Sequence, residues 1–229
     1  MQKEFWHDKW HADQIGFHLE SAHPLLQKFY RQVFANSNTV FVPLCGKSKD
    51  LIFLSKQGFR VIGNELSEKA VIAFYTENYQ LDEAQVAQLN QSKNTADSNT
   101  PSLNLFEYSC DGISIYQGDF FQLQVEQLDN AGAIYDRAAL IALPKTMRLD
   151  YVTHLKKLFK SANLLLITLE YEQERMSGPP FSVSQQEVNA LFNHAQIELL
   201  YSKDIIEKEP RFKSKGLNSF IENAYQITW

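Results

Sequence analysis

The stretch VFVPLCGKSKDLIFLSKQGFRVIGNELSEKAV, residues 40–71, decides the fold class of this 229-residue chain. An apolar run is followed by a turn, a helical segment ending near Gly58, a second apolar run and a further helical segment beginning after Ser67. Glycine is typical just past a helix end, and serine is typical of the position before a helix. The alternation of strand and helix predicts the first unit of a parallel α/β sheet.

Strand patterns recur to the end of the chain, in LNLFEYS, ISIYQGD, GAIYDRAAL, NLLLITLEY, QIELLYSKDII and LNSFIENAYQITW. Asp111-Gly112 is typical of a hairpin turn. The last two segments are joined by a charged loop with no long helix, which predicts an antiparallel hairpin at the sheet edge. We therefore predict an α/β fold with a doubly wound, mostly parallel, seven-stranded sheet and an antiparallel C-terminal hairpin.

The chain length suits one large α/β domain, so we predict a single domain over residues 1–229. Residues 89–102, LNQSKNTADSNTPS, are polar and lack aromatic side chains. Strand patterns of the same type continue after this segment. We therefore predict an exposed surface insertion here rather than a domain boundary.

The composition disfavours several classes of partner. Lys and Arg number 22 against 27 Asp and Glu, without a basic run, so nucleic acid is not expected. No stretch approaches the roughly 18 apolar residues of a membrane span, and no membrane partner is expected. Cys45 and Cys110 form no C-x-x-C pair, which is compatible with a reducing cytoplasm. No contiguous apolar helical face is left over, and a cytoplasmic monomer is expected.

The turn after the first strand excludes two kinds of phosphate site. GKS at residues 46–48 suggests a phosphate loop, but the glycine expected five residues earlier is replaced by Phe41. A dinucleotide site needs three glycines for close approach to a pyrophosphate, whereas this turn has only Gly46. Neither an NTPase nor a nicotinamide enzyme is predicted.

Glu65 ends the second strand, 19 residues after Gly46. A carboxylate at this position can accept both ribose hydroxyls of an adenosine cofactor. A ribose-binding acid without a phosphate-binding turn fits a cofactor with adenosine but no phosphate, such as S-adenosylmethionine. The alternative is that Glu65 only caps the helix that begins near Ser67.

Two later strand ends carry further candidates. In GDFFQL, Asp119 can accept from the adenine amine and Phe120 can cover a base face, although a turn aspartate and a core phenylalanine fit equally well. In YDRAAL, Asp136 and Arg137 follow a strand, and the alternative is a surface ion pair. Both segments belong to the carboxyl edge, where ligands of such sheets bind.

The N-terminal segment FWHDKWHADQIGFH places Trp6 and Trp10 one helical turn apart, which favours a hydrophobic anchor. His7 and His11 have the same spacing. No acid or cysteine nearby in the sequence completes a metal-binding set, so no metal is predicted.

The peptides FWHDKW, GFH, VPLCGKS, VIGNELSE, GDFF, YDRAAL, GPPF and RFKSKG, in this order, closely resemble the bacterial thiopurine S-methyltransferase family over nearly the whole chain. The resemblance implies a class I methyltransferase fold and S-adenosylmethionine as methyl donor, with S-adenosylhomocysteine as product. It implies in-line transfer to thiopurines and other aromatic or heterocyclic thiols. The longer polar segment at residues 89–102 departs from the family pattern.

The resemblance also implies roles for individual residues. Residues 1–20 form an N-terminal lid over the cofactor, with Phe17 facing the substrate. The expected cofactor-binding residues are Trp6, Trp10, Leu44, Gly46, Glu65, Asp119, Phe120 and Arg137. Arg137 and Arg211 are expected near the acceptor sulfur as catalytic residues, and Arg211 also as a substrate-binding residue. Without the resemblance, Arg211 is an ordinary residue of a charged loop.

Two alternatives stay open at this point. The acceptor could be another soft nucleophile, such as a selenium, tellurium or halide species. The chain could also be a catalytically idle adenosine-binding module, although the intact set Glu65, Asp119, Arg137 and Arg211 argues against this.

Overall fold

The computed structural model describes residues 3–14, 16, 18–90 and 105–229. The chain divides into two compact units. The N-terminal unit falls within Gln2–Lys28 and Asn36–Gly132, and the C-terminal unit comprises Phe29–Ala35 and Ala133–Trp229. A single domain over residues 1–229 stays a prediction. No helix in the described part of the chain is long and apolar enough to cross a bilayer.

The N-terminal unit contains four strands in the order β3-β4-β2-β1. Its elements are α1 (Lys3–His11), β1 (Thr39–Val42), α3 (Lys49–Lys56), β2 (Arg60–Glu65), α4 (Glu68–Tyr79), α5 (Glu83–Gln88), β3 (Phe106–Cys110) and β4 (Ile113–Gln117); α2 (Pro24–Val33) begins in this unit. β2 pairs in parallel with both β1 and β4, and β3 is antiparallel to β4.

The opening segment forms the predicted strand and helix pairs for identifiable reasons. Val40, Phe41, Val61 and Ile62 are almost completely buried, as expected for strands covered on both faces. Gly63 is required in β2 because a Cβ there would lie 2.8 Å from the sulfur of Cys45. The turn after β1 therefore packs directly against the second strand.

The C-terminal unit also contains four strands, in the order β5-β6-β8-β7. Its elements after α2 are β5 (Ala133–Asp136), α6 (Ala139–Ala142), α7 (Lys145–Leu158), β6 (Asn163–Glu170), α8 (Gln185–Leu191), β7 (Gln196–Asp204), α9 (Pro210–Lys213) and β8 (Ile221–Thr228). β5 and β6 are parallel, whereas β8 is antiparallel to both β6 and β7. The predicted C-terminal hairpin is confirmed, with β7 at the edge.

The α/β fold class is confirmed, and five strands run parallel to a neighbour: β1, β2, β4, β5 and β6. The predicted number of seven strands is wrong, because the described residues form eight. β3 adds an edge strand through the Asp111-Gly112 turn, where both residues have positive φ, as a tight hairpin turn requires.

The predicted insertion at residues 89–102 falls mostly outside the described residues. Leu89 ends α5, and Asn90 forms an isolated antiparallel bridge with Tyr108 of β3. Asn90 therefore lies at the edge of the sheet, next to the end of α5.

Candidate active site

The turn after β1 brings backbone N–H groups toward the end of β2. Leu44 and Gly46 both adopt left-handed conformations, with φ of 46° and 55°. A bulky residue rarely adopts this conformation, so the turn carries backbone strain at Leu44. The Cys45 N–H donates to the Asn64 carbonyl at 2.8 Å, and the Gly46 N–H donates to Glu65 Oε2 at 2.8 Å.

Glu65 is almost fully buried and is held by backbone groups on both sides. In addition to the Gly46 contact, its Oε1 accepts from the Ser67 N–H at 2.8 Å. Burial raises the pKa of Glu65, while the N–H groups of Ser67, Gly46 and Leu66 lower it. A carboxylate has about four acceptor positions, so these contacts orient the group and leave capacity for a hydroxyl ligand.

The two hypotheses for Glu65 therefore do not exclude each other. Ser67 occupies the position before α4, but its side chain makes no capping hydrogen bond. Glu65 serves the first turn of α4 instead, by accepting from the Ser67 N–H. The same carboxylate can support the helix and still bind a ribose.

Asn64 is a positioning residue that the sequence analysis missed. It is completely buried, and its Nδ2 donates to the carbonyls of Tyr116 and Gly118 at 3.0 and 3.1 Å. The Gly118 N–H donates to the Glu65 carbonyl at 2.8 Å. These contacts fasten the loop after β4 to the end of β2. The available signal was a lone polar residue inside an apolar strand, next to an acid.

Asp119 and Phe120 lie in that loop, after β4. Asp119 is half-buried, and its Oδ1 accepts from the Phe121 N–H at 3.1 Å at the start of a 3-10 helix. Phe120 is 3% exposed and its ring lies 5.4 Å from that of Phe121. The structure thus shows a turn aspartate and a packed phenylalanine, and their contacts with an adenine stay a prediction.

α1 is attached to the first turn of α4. Trp6 is half-buried and Trp10 is 3% exposed. Lys69 Nζ donates to the Trp10 carbonyl at 2.9 Å and lies 3.0 Å from Asp13 Oδ1. Since α4 begins three residues after Glu65, this contact links the predicted lid to the predicted ribose site. Phe17 lies outside the described residues.

A cavity of about 400 Å³ lies between α1 and α4. It is lined by His7, His11, Ser67, Glu68, Lys69, Ile72, Glu83 and Gln117. The fold thus places Glu68 and Glu83 in the same cavity as His7 and His11. Among the described residues, however, no group of three or more potential ligands could hold a metal ion.

In the C-terminal unit, Asp136 has an internal role. It is 1% exposed, and its Oδ1 accepts from the Ala139 and Leu140 N–H groups at 3.0 and 3.2 Å. Its Oδ2 accepts from the Tyr151 hydroxyl at 2.7 Å. Burial raises the pKa of Asp136 to about 6, although these donors oppose the effect. Asp136 therefore shapes the bend after β5 that presents the half-buried Arg137.

Arg211 lies in α9, within the connection between β7 and β8. The side chain is exposed, and its guanidinium carbon lies 4.5 Å from the centre of the Phe212 ring. Phe212 stacks on Phe220 at 4.3 Å, and Tyr171 lies 5.6 Å from Phe220. Arg211 is therefore placed on a packed apolar cluster, which its charged sequence surroundings did not indicate.

Arg148 is a second structural residue that the sequence analysis missed. It is 2% exposed, and it donates to the Leu143 carbonyl, the Ser182 carbonyl and both carboxylate oxygens of Glu187 at 2.8–3.0 Å. The Phe181 N–H also donates to the Ile141 carbonyl at 2.7 Å. The segments after β5 and β6 are thereby fastened together. A single arginine in an amphipathic helix is usually exposed, so the sequence did not predict that Arg148 would be buried and join these segments.

Comparison with protein families gives a match over the whole chain. The family model described as thiopurine S-methyltransferase matches residues 1–229. A protein of Shewanella woodyi named thiopurine S-methyltransferase is 43% identical over 230 residues, covering 99% of this chain and 98% of that protein. One of Vibrio atlanticus with the same name is 44% identical over 227 residues, covering 98% and 96%.

Solved structures with the same fold are distant in sequence. A methyltransferase from Anabaena variabilis described as SAM-dependent has a TM-score of 0.59 at 14% identity, covering 99% of this chain and 93% of that one. The 1,6-didemethyltoxoflavin-N1-methyltransferase of Burkholderia thailandensis, solved with S-adenosylhomocysteine, has a TM-score of 0.58 at 14% identity, covering 98% and 86%. At this identity the likeness shows the fold.

Proposed function

The chain belongs to the thiopurine S-methyltransferase family, and we propose that it methylates the sulfur of thiopurines and other aromatic or heterocyclic thiols. It is an S-adenosylmethionine-dependent methyltransferase with a mixed, mostly parallel sheet. The single observation that carries the proposal is the buried carboxylate of Glu65, which is held at the end of β2 by the Gly46 and Ser67 N–H groups.

The residues of the N-terminal unit fit an adenosine cofactor without phosphates. When bound, S-adenosylmethionine supplies a methyl group activated by a sulfonium. The oriented carboxylate of Glu65 can accept the ribose hydroxyls. The strained turn with Leu44 and Gly46 presents its Gly46 N–H to this carboxylate, so the carboxylate occupies the donor that a phosphate would otherwise need. Asp119, Phe120, Trp6 and Trp10 would complete the contacts.

The C-terminal unit supplies the groups proposed for the acceptor. An arginine is always protonated at physiological pH, so Arg137 and Arg211 can hold a sulfur acceptor as an anion. The Arg211 guanidinium lies over the Phe212 ring, which stacks on Phe220. The proposed reaction is in-line attack of the bound thiolate on the methyl carbon, and the enzyme contributes positioning and exclusion of water.

Parallel titrations test the proposal. S-adenosylhomocysteine, NADH and ATP would be titrated into the protein by calorimetry, followed by incubation with S-adenosylmethionine and a panel of thiols and selenium compounds. Binding of S-adenosylhomocysteine alone, with methylation of aromatic thiols, supports the proposal. Binding without any turnover would identify an idle adenosine-binding module instead.

The proposal also includes a cytoplasmic monomer that acts on a small molecule. Cys45 and Cys110 are both free thiols, which fits a reducing compartment. Sedimentation equilibrium of the purified chain measures the oligomeric state directly. A mass twice the 26.4 kDa of one chain would contradict the monomer.

A further inference from the structure

Methylation of a thiol releases a proton, and the two candidate catalytic arginines cannot accept it because a guanidinium stays protonated. A neighbouring acceptor is needed for any acceptor thiol that is not already ionised. Several acids of the C-terminal unit are committed to other partners. Asp136 accepts from Tyr151 and two N–H groups, Glu187 pairs with Arg148, and Asp204 accepts from the N–H groups of Ile206 and Phe220.

Glu170 differs from these acids. It is half-buried at the end of β6, and the one hydrogen bond of its carboxylate in the described part of the chain comes from Asn223 Nδ2 at the long distance of 3.5 Å. A half-buried carboxylate with such a weak partner retains most of its capacity to accept a proton or a hydrogen bond.

Two buried hydroxyls lie on the same face of the sheet as Glu170. Thr168 pairs with Asn223, and Leu166 pairs with Tyr225, so alternation places Thr168, Glu170, Asn223 and Tyr225 together on one face. We call these four residues the polar cluster. Thr168 Oγ1 and Tyr225 Oη are buried and make no well-formed hydrogen bond within the described residues, although the Thr168 hydroxyl lies close enough to Tyr225 to lower its pKa. Native structures seldom leave such groups unsatisfied, and a buried water is the usual partner.

The position of Glu170 in the fold places it at the end of the sheet where the connection between β7 and β8 begins. Glu170 pairs with Ile221, the first residue of β8, which in turn pairs with Asp204, the last residue of β7. The connection between β7 and β8, which carries Arg211, therefore begins and ends at the same end of the sheet as Glu170. Tyr171, directly after Glu170, belongs to the same apolar cluster as Phe212, directly after Arg211.

We propose that Glu170 accepts the proton of the acceptor thiol, and that the other members of the polar cluster hold its carboxylate through ordered water. The inference rests on the proposed thiol methylation. The S–H bond breaks and its proton passes to a Glu170 oxygen. The sulfur electron pair forms the new bond to the methyl carbon, and the old carbon–sulfur bond breaks with its pair going to S-adenosylhomocysteine.

The state of Tyr225 agrees with this role. Burial, followed by the charge of Glu170, raises the pKa of Tyr225 to about 12. Its hydroxyl therefore stays protonated near neutral pH and acts as a donor toward a carboxylate or a water bound to it. A donor of this kind can orient the Glu170 carboxylate, directly or through that water.

Two aromatic thiols of different acidity test the proposal at one mildly acidic pH. 4-Nitrobenzenethiol is already ionised at this pH, whereas 4-methoxybenzenethiol is mostly protonated. Glu170→Gln should reduce kcat/KM for 4-methoxybenzenethiol by about 10²–10⁴-fold, the usual size of a proton-transfer contribution, and for 4-nitrobenzenethiol by less than about threefold. Glu170→Asp keeps a carboxylate and should restore part of the loss.

Glu209 provides the matched control, because it is a half-buried acid two residues before Arg211. Glu209→Gln should lower kcat/KM for both thiols equally or leave both values unchanged. Equal losses for both thiols in Glu170→Gln, or a selective loss in Glu209→Gln instead, would overturn the assignment. Unchanged S-adenosylhomocysteine affinity and melting temperature in Glu170→Gln would show that folding and cofactor binding are intact. If the wild type methylates no thiol, the proposed function fails and the role of Glu170 with it.

Discussion

Two buried acids, each at the end of a parallel strand, have different hydrogen-bond partners. Glu65 ends β2 and Asp136 ends β5, and both accept N–H groups from the segment that follows the strand. Burial raises the pKa of both carboxyl groups. Asp136 also accepts from the Tyr151 hydroxyl at 2.7 Å, whereas the contacts reported for Glu65 are all with backbone groups.

This difference supports the proposal that Glu65 is available to a ligand, whereas Asp136 is committed to contacts within the fold. The phenol of Tyr151 uses the acceptor oxygen that a ligand would need at Asp136. Nothing in the local peptides NEL and YDR distinguishes the two acids, since both follow an apolar strand. A side chain 15 residues away in α7 makes the distinction.

The largest expected effect is on cofactor affinity. Glu65→Gln keeps the shape but removes the charge and one acceptor of the proposed ribose contact. A hydrogen bond to a charged group contributes about 1.5–3 kcal/mol, which corresponds to about 10- to 150-fold weaker binding of S-adenosylhomocysteine. Calorimetric titration measures this change. A 2′,3′-dideoxy analogue should bind wild type and variant with similarly low affinity.

Glu126→Gln is the control for that experiment, because Glu126 is an exposed acid of the same unit that does not line the cavity between α1 and α4. It should bind S-adenosylhomocysteine as wild type does. If Glu65→Gln binds S-adenosylhomocysteine with wild-type affinity, Glu65 supports the start of α4 and does not bind the ribose. Because Glu65 is buried and holds two N–H groups, its replacement is also expected to lower the melting temperature.

The second prediction concerns pH and Asp136. Its pKa is raised from the ordinary 3.8 to about 6, so its contribution to stability is present below about pH 4 and lost as the pH rises through about 6. At 1.36 kcal/mol per pKa unit the interval corresponds to about 3 kcal/mol. The unfolding free energy of wild type minus that of Asp136→Asn should therefore fall between pH 4 and pH 7. A difference that is constant with pH would show that Asp136 is not perturbed.

The third prediction tests whether the hydrogen bond between Tyr151 and Asp136 stabilises the fold. Tyr151→Phe removes the 2.7 Å hydrogen bond from a buried carboxylate and should lower the free energy of unfolding by about 1–3 kcal/mol. Urea unfolding measures this loss. S-adenosylhomocysteine affinity should stay within about twofold of wild type, well under the tenfold that 1.4 kcal/mol represents. A loss of affinity as large as that of Glu65→Gln would remove the distinction between the two acids.

The smallest expected effect concerns the attachment of α1. Lys69→Met removes the contacts with the Trp10 carbonyl and Asp13, which as an exposed pair contribute about 0.2–1 kcal/mol. Amide exchange in residues 6–14 should then be about two- to fivefold faster at roughly 1.4 kcal/mol per decade. Arg60→Met, which removes the exposed pair with Asp129, is the matched control and should leave these amides unchanged. Equal exchange in both variants would mean that Lys69 does not hold the helix.

Much of the fold could be predicted because it depends on local patterns. Apolar runs, helix boundaries and the Asp111-Gly112 turn are properties of short segments, and the predicted alternation of strand and helix is confirmed. The strand count of seven was wrong by one, although eight strand patterns are present in the sequence, and the edge strand β3 forms from one of them, LNLFEYS. The position of Glu65 after a strand was likewise visible in the sequence.

What the sequence determined by itself was the α/β class, the single-glycine turn and the strand-end acids, because each follows from residues within one turn or strand. Only the tertiary structure decided which side chains contact the segments that follow the strands, since Tyr151 reaches Asp136 from α7 and Arg148 reaches Ser182 across 34 residues. It also decided that Asn64 fastens the loop carrying Asp119 and that Arg211 lies on packed aromatic rings. Such contacts depend on how distant segments pack, and no local pattern encodes their distances.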